Sequence, residues 1–221
     1  MEMIATLKDV TYTYPDGTRA LNGVSLGLKK ESVICLMGPN GSGKSTLLMV
    51  LDALIFPQSG EVELFGRRVE KNNAPELRKK IGLLFQNPDD MLFNPNVLEE
   101  VAFGLIVRGI PREKSSEKAE EELKKLGLEQ LKDRIPHRLS FGQRRLVSLA
   151  SVLVTEPELL LLDEPTSNLD EENKEKMMKR LHEFISSKNS EEWAVVIATQ
   201  DKEIEVLCNE TYYMKDGKII I

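Results

Sequence analysis

The sequence predicts an α/β fold: a parallel-sheet core, an antiparallel β layer built from its N-terminal strands, and an inserted helical lobe. Three observations predict it. Apolar runs of strand length at 33–37, 159–162 and 194–198 show no polar alternation, as expected of parallel strands buried on both faces. The first of these runs leads straight into a glycine-rich loop and then a helical stretch. Between 87 and about 155 the pattern turns helical, with Ala119, Leu123 and Leu126 at i, i+4, i+7 and Glu and Lys filling the opposite face.

The elements follow in order. Residues 4–14 alternate as a strand, Pro15-Asp16-Gly17 marks a turn, and 21–28 continues as a second strand. Strand 33–37 feeds the glycine loop and a helix over 44–54. A strand at 60–65 turns at Gly66, and 81–85 is again apolar and strand-sized. Gly109-Ile110-Pro111 and Ile135-Pro136 punctuate the helical region. A helix over 171–187 separates the last two apolar strands, and Lys215-Asp216-Gly217-Lys218 makes a turn before a final strand. The 221 residues thus form one domain, 1–221, with a core from 1–86 and 156–221 and a helical subdomain at 87–155.

Composition narrows the function. A net charge of -6 and a pI near 5.2 argue against general binding to nucleic acid, which needs a basic face. Cys35 and Cys208 form neither a CxxC motif nor a disulfide framework and read as small core residues. Residues 1–10 lack the basic and apolar regions of a secretory signal, and no apolar run approaches the ~20 residues that span a bilayer. Action at a membrane is therefore expected to go through a partner.

Gly38-Pro39-Asn40-Gly41-Ser42-Gly43-Lys44-Ser45-Thr46 fits GxxxxGK[ST] between a buried strand and a helix. Glycines let backbone N–H groups converge on phosphate oxygens, and the helix N-terminus adds positive charge. Lys44 is expected to reach the β- and γ-phosphates and the Ser45 hydroxyl to ligate Mg²⁺. Leu159-Leu160-Leu161-Leu162-Asp163-Glu164-Pro165 supplies the complement: a buried strand ending in two carboxylates. Asp163 is placed near the metal through water, and Glu164 to polarise the attacking water as general base.

Leu139-Ser140-Phe141-Gly142-Gln143 precedes a helix shortly before the acidic strand, and with it the whole chain resembles the ATP-binding-cassette family, whose signature is LSGGQ. The resemblance implies a P-loop ATPase with a RecA-like core that binds ATP and Mg²⁺. Tyr14 looks like the aromatic that stacks on adenine, Gln86 like the glutamine that senses metal and water, and Ser167-Asn168-Leu169-Asp170 like the D-loop. Ser140, Gly142 and Gln143, at a helix start, form a second anion site, which the resemblance sets against the phosphate loop of another protomer. Arg144 and Arg145 either pair with acids or lie on a solvated helix face; Tyr12 reads as packing.

The closer resemblance is to the ATPases of energy-coupling-factor and cobalt-type importers. It is carried by Tyr12-Thr13-Tyr14-Pro15-Asp16-Gly17, by the run from Phe85 to Phe93, and by the run from Val97 to Gly104. It implies a peripheral protein at the cytoplasmic face of the membrane, dimeric, with a membrane subunit docking near 87–104 on an apolar lining of Met91, Leu92 and Phe93. Three departures stand out. Phe141 replaces a glycine of the signature. Gln200, in Ala198-Thr199-Gln200-Asp201, stands where the family has its switch histidine; its amide can donate a hydrogen bond to the γ-phosphate but cannot take up a further proton or a positive charge, so reduced turnover is expected. Many relatives carry a further C-terminal segment beyond the final strand that holds the dimer together, so dimerisation is expected to lean on ATP. The alternatives are a soluble cassette ATPase of a cofactor-assembly complex and a low-turnover half of a heterodimeric pair.

Overall fold

The unalternating apolar runs fold as the centre of a six-stranded sheet. In the computed structural model, which describes residues 2–220, backbone contacts divide the chain into two units. Met1 and Ile221, the ends of the domain as read from the sequence, lie outside the described residues. The first unit comprises Met1–Leu83, Glu158–Glu164 and Asn189–Ile221, and the second Leu84–Pro157 and Pro165–Lys188. Where the sequence reading bounds the helical lobe at 87–155, the structural grouping adds 165–188 to the helical unit.

In the first unit, β1 (Met3–Thr13), β2 (Arg19–Lys29), β4 (Ser59–Leu64) and β5 (Arg67–Arg68) form an antiparallel sheet in the order β2-β1-β4-β5. The larger sheet holds β3 (Ser32–Met37), β6 (Ile81–Leu84), β7 (Leu159–Asp163), β8 (Ala194–Thr199), β9 (Glu210–Lys215) and β10 (Lys218–Ile219), in the order β10-β9-β3-β8-β7-β6. Every residue of β3, β7 and β8 is buried, which is why their sequences show no alternation. β3, β7, β8 and β9 run parallel, with Met37 opposite Thr199 and Asp163 opposite Ala198. The loops leaving β3, β7 and β8 therefore emerge at one edge, the carboxyl end where parallel sheets place their ligands. Helix α1 (Lys44–Leu51) follows β3 and stops short of the expected 54, because Ala53 turns left-handed at φ 52. A four-residue helix, α2 (Ala74–Leu77), precedes β6.

The cysteine expectation is corrected. Cys35, buried on β3, and Cys208, just before β9, are joined by a disulfide with their Cα atoms 5.7 Å apart, across a sequence separation of 173. Spacing along the chain carries no trace of this pairing. Only the parallel ladder of β9 on β3 brings the two positions together.

The second unit is helical: α3 (Val97–Val107), α4 (Arg112–Lys125), α5 (Phe141–Leu153) and α6 (Glu171–Ser186). Asn96 caps α3 by accepting from the Glu99 N–H, and Pro111 opens α4. Leu123, Leu146, Leu149, Met177 and Leu181 are fully buried. A bidentate pair, Arg180 to Glu122 at 2.7 and 2.8 Å, ties α6 to α4 with both side chains buried.

Candidate nucleotide site

The phosphate loop is shaped by contacts that only glycine permits. A Cβ on Gly38 would collide with the Met214 carbonyl oxygen of β9, and one on Gly43 with the Ala20 carbonyl oxygen of β2. Gly43 is left-handed at φ 103 and starts α1 with no side chain capping the helix amides, so those donors stay available to an anion. Ser42 is 3% exposed, and its hydroxyl has no hydrogen-bond partner among the described residues. A buried hydroxyl left over in such a loop suits a phosphate oxygen that accepts from it. Lys44 is 5% exposed and folds back on the loop, donating to the Gly38 carbonyl at 2.7 Å and the Pro39 carbonyl at 3.3 Å. Its Nζ also lies 3.5 Å from Glu164 Oε1.

The carboxylates are held by the strands. Asp163 ends β7 and is buried. Glu164 follows with φ 46, a left-handed conformation that a non-glycine residue keeps only under constraint, and its N–H donates to the Ala198 carbonyl at 2.8 Å. Its Oε2 accepts from the Gln200 backbone N–H at 3.2 Å. The Gln200 side-chain amide donates to Asn40 Oδ1 at 2.6 Å. The first unit thus brings Asn40, Lys44, Glu164 and Gln200 into one polar chain, with Asp163 adjoining and Ser45 next along α1. Tyr14 is anchored beside this loop, its hydroxyl 3.0 Å from that of Thr46. Tyr12 meets the Tyr14 ring edge-on at 5.0 Å and packs on the core. The oxygen donors at Ser45 and Asp163 suit a hard cation such as Mg²⁺.

The remaining predicted residues lie in the second unit. Gln86 follows β6. Ser140 is the N-cap of α5: its hydroxyl accepts from the Gln143 N–H at 3.2 Å, and the Gln143 side chain accepts from the Ser140 N–H at 3.1 Å. Asp170 caps α6 and binds the Asn173 side chain through both carboxylate oxygens, at 2.8 and 2.9 Å. A Cβ on Gly142 would run into that Asn173 side chain. Asn173 therefore sits against the signature glycine, a contact that sequence reading missed; the Asp170-x-x-Asn173 spacing is the capping signal that marks it. The open choice for the two arginines is resolved. Arg145 is completely buried and donates to the Pro165 and Phe85 carbonyls, whereas Arg144 pairs with Asp89 at 3.0 Å.

The expected apolar lining near 87–104 is also revised. Leu92 is 2% exposed and belongs to the interior, while Phe93 is 65% exposed and meets Phe103 edge-on at 5.0 Å. Met91 is half-buried. Buried Glu100 shapes the turn that presents Phe93, accepting the Phe93 N–H at 2.8 Å and the Asn94 N–H at 2.7 Å. No helix among the described residues is long and apolar enough to cross a membrane.

Comparison with known proteins agrees with this architecture. The ABC transporter family profile matches residues 21–167. The energy-coupling factor transporter ATP-binding protein of Methanocaldococcus jannaschii is 40% identical over 98% of this chain and 77% of its own length. Its counterpart in Methanothermobacter thermautotrophicus is 38% identical over 97% of this chain and 68% of its own. Among solved structures, cbiO1 of Clostridium perfringens, part of the ABC transporter complex cbiONQ, superposes with a TM-score of 0.85 at 35% identity, covering 100% of this chain and 88% of that one. A dimeric ATP-binding cassette in a post-hydrolysis state with ADP and Pi gives a TM-score of 0.89 at 32% identity, over 98% and 97% of the two chains. Phosphate loop, acidic strand end, signature helix and family profile agree: the chain belongs to the ABC transporter family of ATP-binding proteins.

Proposed function

We propose that this chain binds and hydrolyses ATP as the motor subunit of an importer of the energy-coupling-factor or cobalt type. It works as one half of an ATP-dependent dimer docked at the cytoplasmic face of the membrane. One observation carries the reading: Lys44, Glu164 and Gln200 converge on a glycine loop whose helix amides are uncapped. ATP enters with its triphosphate on the Gly38–Thr46 loop and its adenine on Tyr14. Lys44 exchanges the Gly38 and Pro39 carbonyls for β- and γ-phosphate oxygens. Glu164 takes the proton of the attacking water, and the Gln200 amide donates to the γ-phosphate. Ser45 and Asp163 would hold Mg²⁺, which when bound would offset charge on the phosphates. Ser140, Gly142, Gln143 and Asp170 complete the site of a second protomer, and the Phe93–Phe103 surface receives the membrane subunit.

Glu164→Gln tests the reading. ATP affinity should persist while turnover falls on the order of 100-fold or more, and sedimentation should show a dimer with ATP. A variant that still turns over at the wild-type rate would remove Glu164 as the base. Co-purification with a membrane subunit tests the transport assignment separately; capture instead by a soluble assembly partner would replace it.

A second reading rests on Gln200. An amide carries no positive charge, so turnover is low for the family and the Gln200→His variant should be faster. A variant slower than or equal to the wild type would count against this.

A further inference from the structure

Gln200 is exposed and its side chain has three rotatable bonds, yet among the described residues one side-chain hydrogen bond defines its position. The backbone around it is fixed. Thr199 is completely buried, the Asp201 N–H donates to the Thr199 hydroxyl at 2.9 Å, and the Gln200 N–H is held by Glu164. That pins the Cα and leaves the amide free to turn. Among the described residues, the side-chain partner that stops it is Asn40, whose Oδ1 accepts at 2.6 Å.

Asn40 is itself held. It follows Pro39, precedes Gly41 at φ 76, and lies within a turn closed by the Ser42 N–H donating to the Pro39 carbonyl at 3.2 Å. The backbone of the phosphate loop thus places Asn40 within reach of the Gln200 amide, and the 2.6 Å hydrogen bond sets the two side chains against each other. A primary amide has two N–H groups and an oxygen. With one N–H on Asn40, the second N–H and the oxygen stay available to a γ-phosphate and to the water that attacks it.

We propose that Asn40 is a positioning residue for Gln200: its side-chain carbonyl orients the amide that stands where the family has a histidine. This rests on the reading of Gln200 as the γ-phosphate switch, and the test separates the two. Steady-state ATP hydrolysis by purified protein is measured for the wild type, Asn40→Ala, Gln200→Ala and the double variant. Positioning acts on the reacting geometry, so Asn40→Ala should lower kcat about 5–10-fold with the KM for ATP changed less than about twofold. In the Gln200→Ala background the same substitution should have no further effect, because the amide it orients is gone. Independent, multiplying losses of kcat, or a loss confined to KM, would overturn the proposal while leaving the switch reading standing. A Gln200→Ala variant with wild-type kcat would overturn both. Equal thermal midpoints for wild type and Asn40→Ala confirm that folding is unaffected; if Asn40→Ala does not fold, Asn40→Ser takes its place in the same cycle.

Discussion

α1 and α5 both begin at motifs we assign to phosphate, and they begin differently. α1 starts on a left-handed glycine with no side chain over its amides. α5 starts on Ser140, whose capping box with Gln143 satisfies two of its own donors. The first end is a receptor fixed by backbone packing, with β2 and β9 carbonyls pressed against Gly43 and Gly38. The second is closed on itself at rest and offers a ligand the Ser140 hydroxyl proton and the Gly142 N–H. On the proposed function, an end of the first kind binds a triphosphate unaided. An end of the second kind adds affinity only once another surface brings the phosphate to it, as a composite site in a dimer requires.

The largest test of this contrast is a methyl group at each end. Gly43→Ala meets a backbone carbonyl that cannot move aside and forces a conformation that side chains resist, so ATP affinity should fall on the order of 100-fold or more. Gly142→Ala meets the Asn173 side chain, which can rotate away. ATP binding by the monomer should then be unchanged within about twofold, with the loss confined to ATP-dependent dimerisation. Calorimetric titration with ATP on both variants decides; equal losses would erase the distinction.

The two regions also differ in covalent support. The strand that feeds α1 is tied to the chain ahead of β9 by the Cys35–Cys208 disulfide, and the helical unit has no cysteine. A cross-link closing so long a loop stabilises by about 2–4 kcal/mol. Cys208→Ser, or the wild type under reductant, should melt several degrees lower. A reductant that leaves the wild-type midpoint in place would show that the bridge contributes nothing to stability.

Legibility in the sequence followed the same division. The strand, glycine loop and helix around 33–51 and the buried strand ending at Asp163 were legible as local structure, because glycines under backbone carbonyls and carboxylates at a buried strand end are local requirements. The disulfide was invisible, since it depends on β9 pairing with β3 across most of the chain. Leu92 and Phe93 were read alike as apolar lining, yet one is interior and the other exposed. A short irregular turn held by Glu100 has no period from which to tell its faces apart. Arg145 was ambiguous for a related reason: a buried arginine is defined by the carbonyls it meets, and these come from distant segments.

The far ends of the helices extend the comparison. α5 closes on Val154, but α1 closes on Asp52, where burial pushes the carboxyl up to about 7 against the opposing pull of Arg78. The folded state therefore holds a proton that the unfolded chain, with its pKa near 3.8, releases. Stability from this site is full below the unfolded value, falls as pH rises through the window between 3.8 and about 7, and is gone above it. Asp52→Asn keeps the shape without the charge. It should melt with the wild type near pH 4 and be more stable at pH 8, by on the order of 4 kcal/mol at ~1.4 kcal/mol per pKa unit across the shift from 3.8 to about 7. Parallel pH profiles for the two proteins would show that Asp52 is not buried as a neutral acid.

The smallest expected effect is the most specific. Ser140→Ala removes a cap that α1 never had, which costs about 1 kcal/mol and lowers the thermal midpoint by roughly 2–4 °C without nucleotide. Ser140→Thr keeps the hydroxyl and should recover most of that loss. Monomer ATP affinity should match the wild type in both variants, since the uncapped amides of α1 are untouched, whereas ATP-dependent dimerisation should fail in the alanine variant. A Ser140→Ala protein that melts normally but loses monomer ATP binding would reverse the roles assigned to the two helix ends. It would make Ser140 part of the primary site, and the capping box would no longer explain why serine stands at the start of α5.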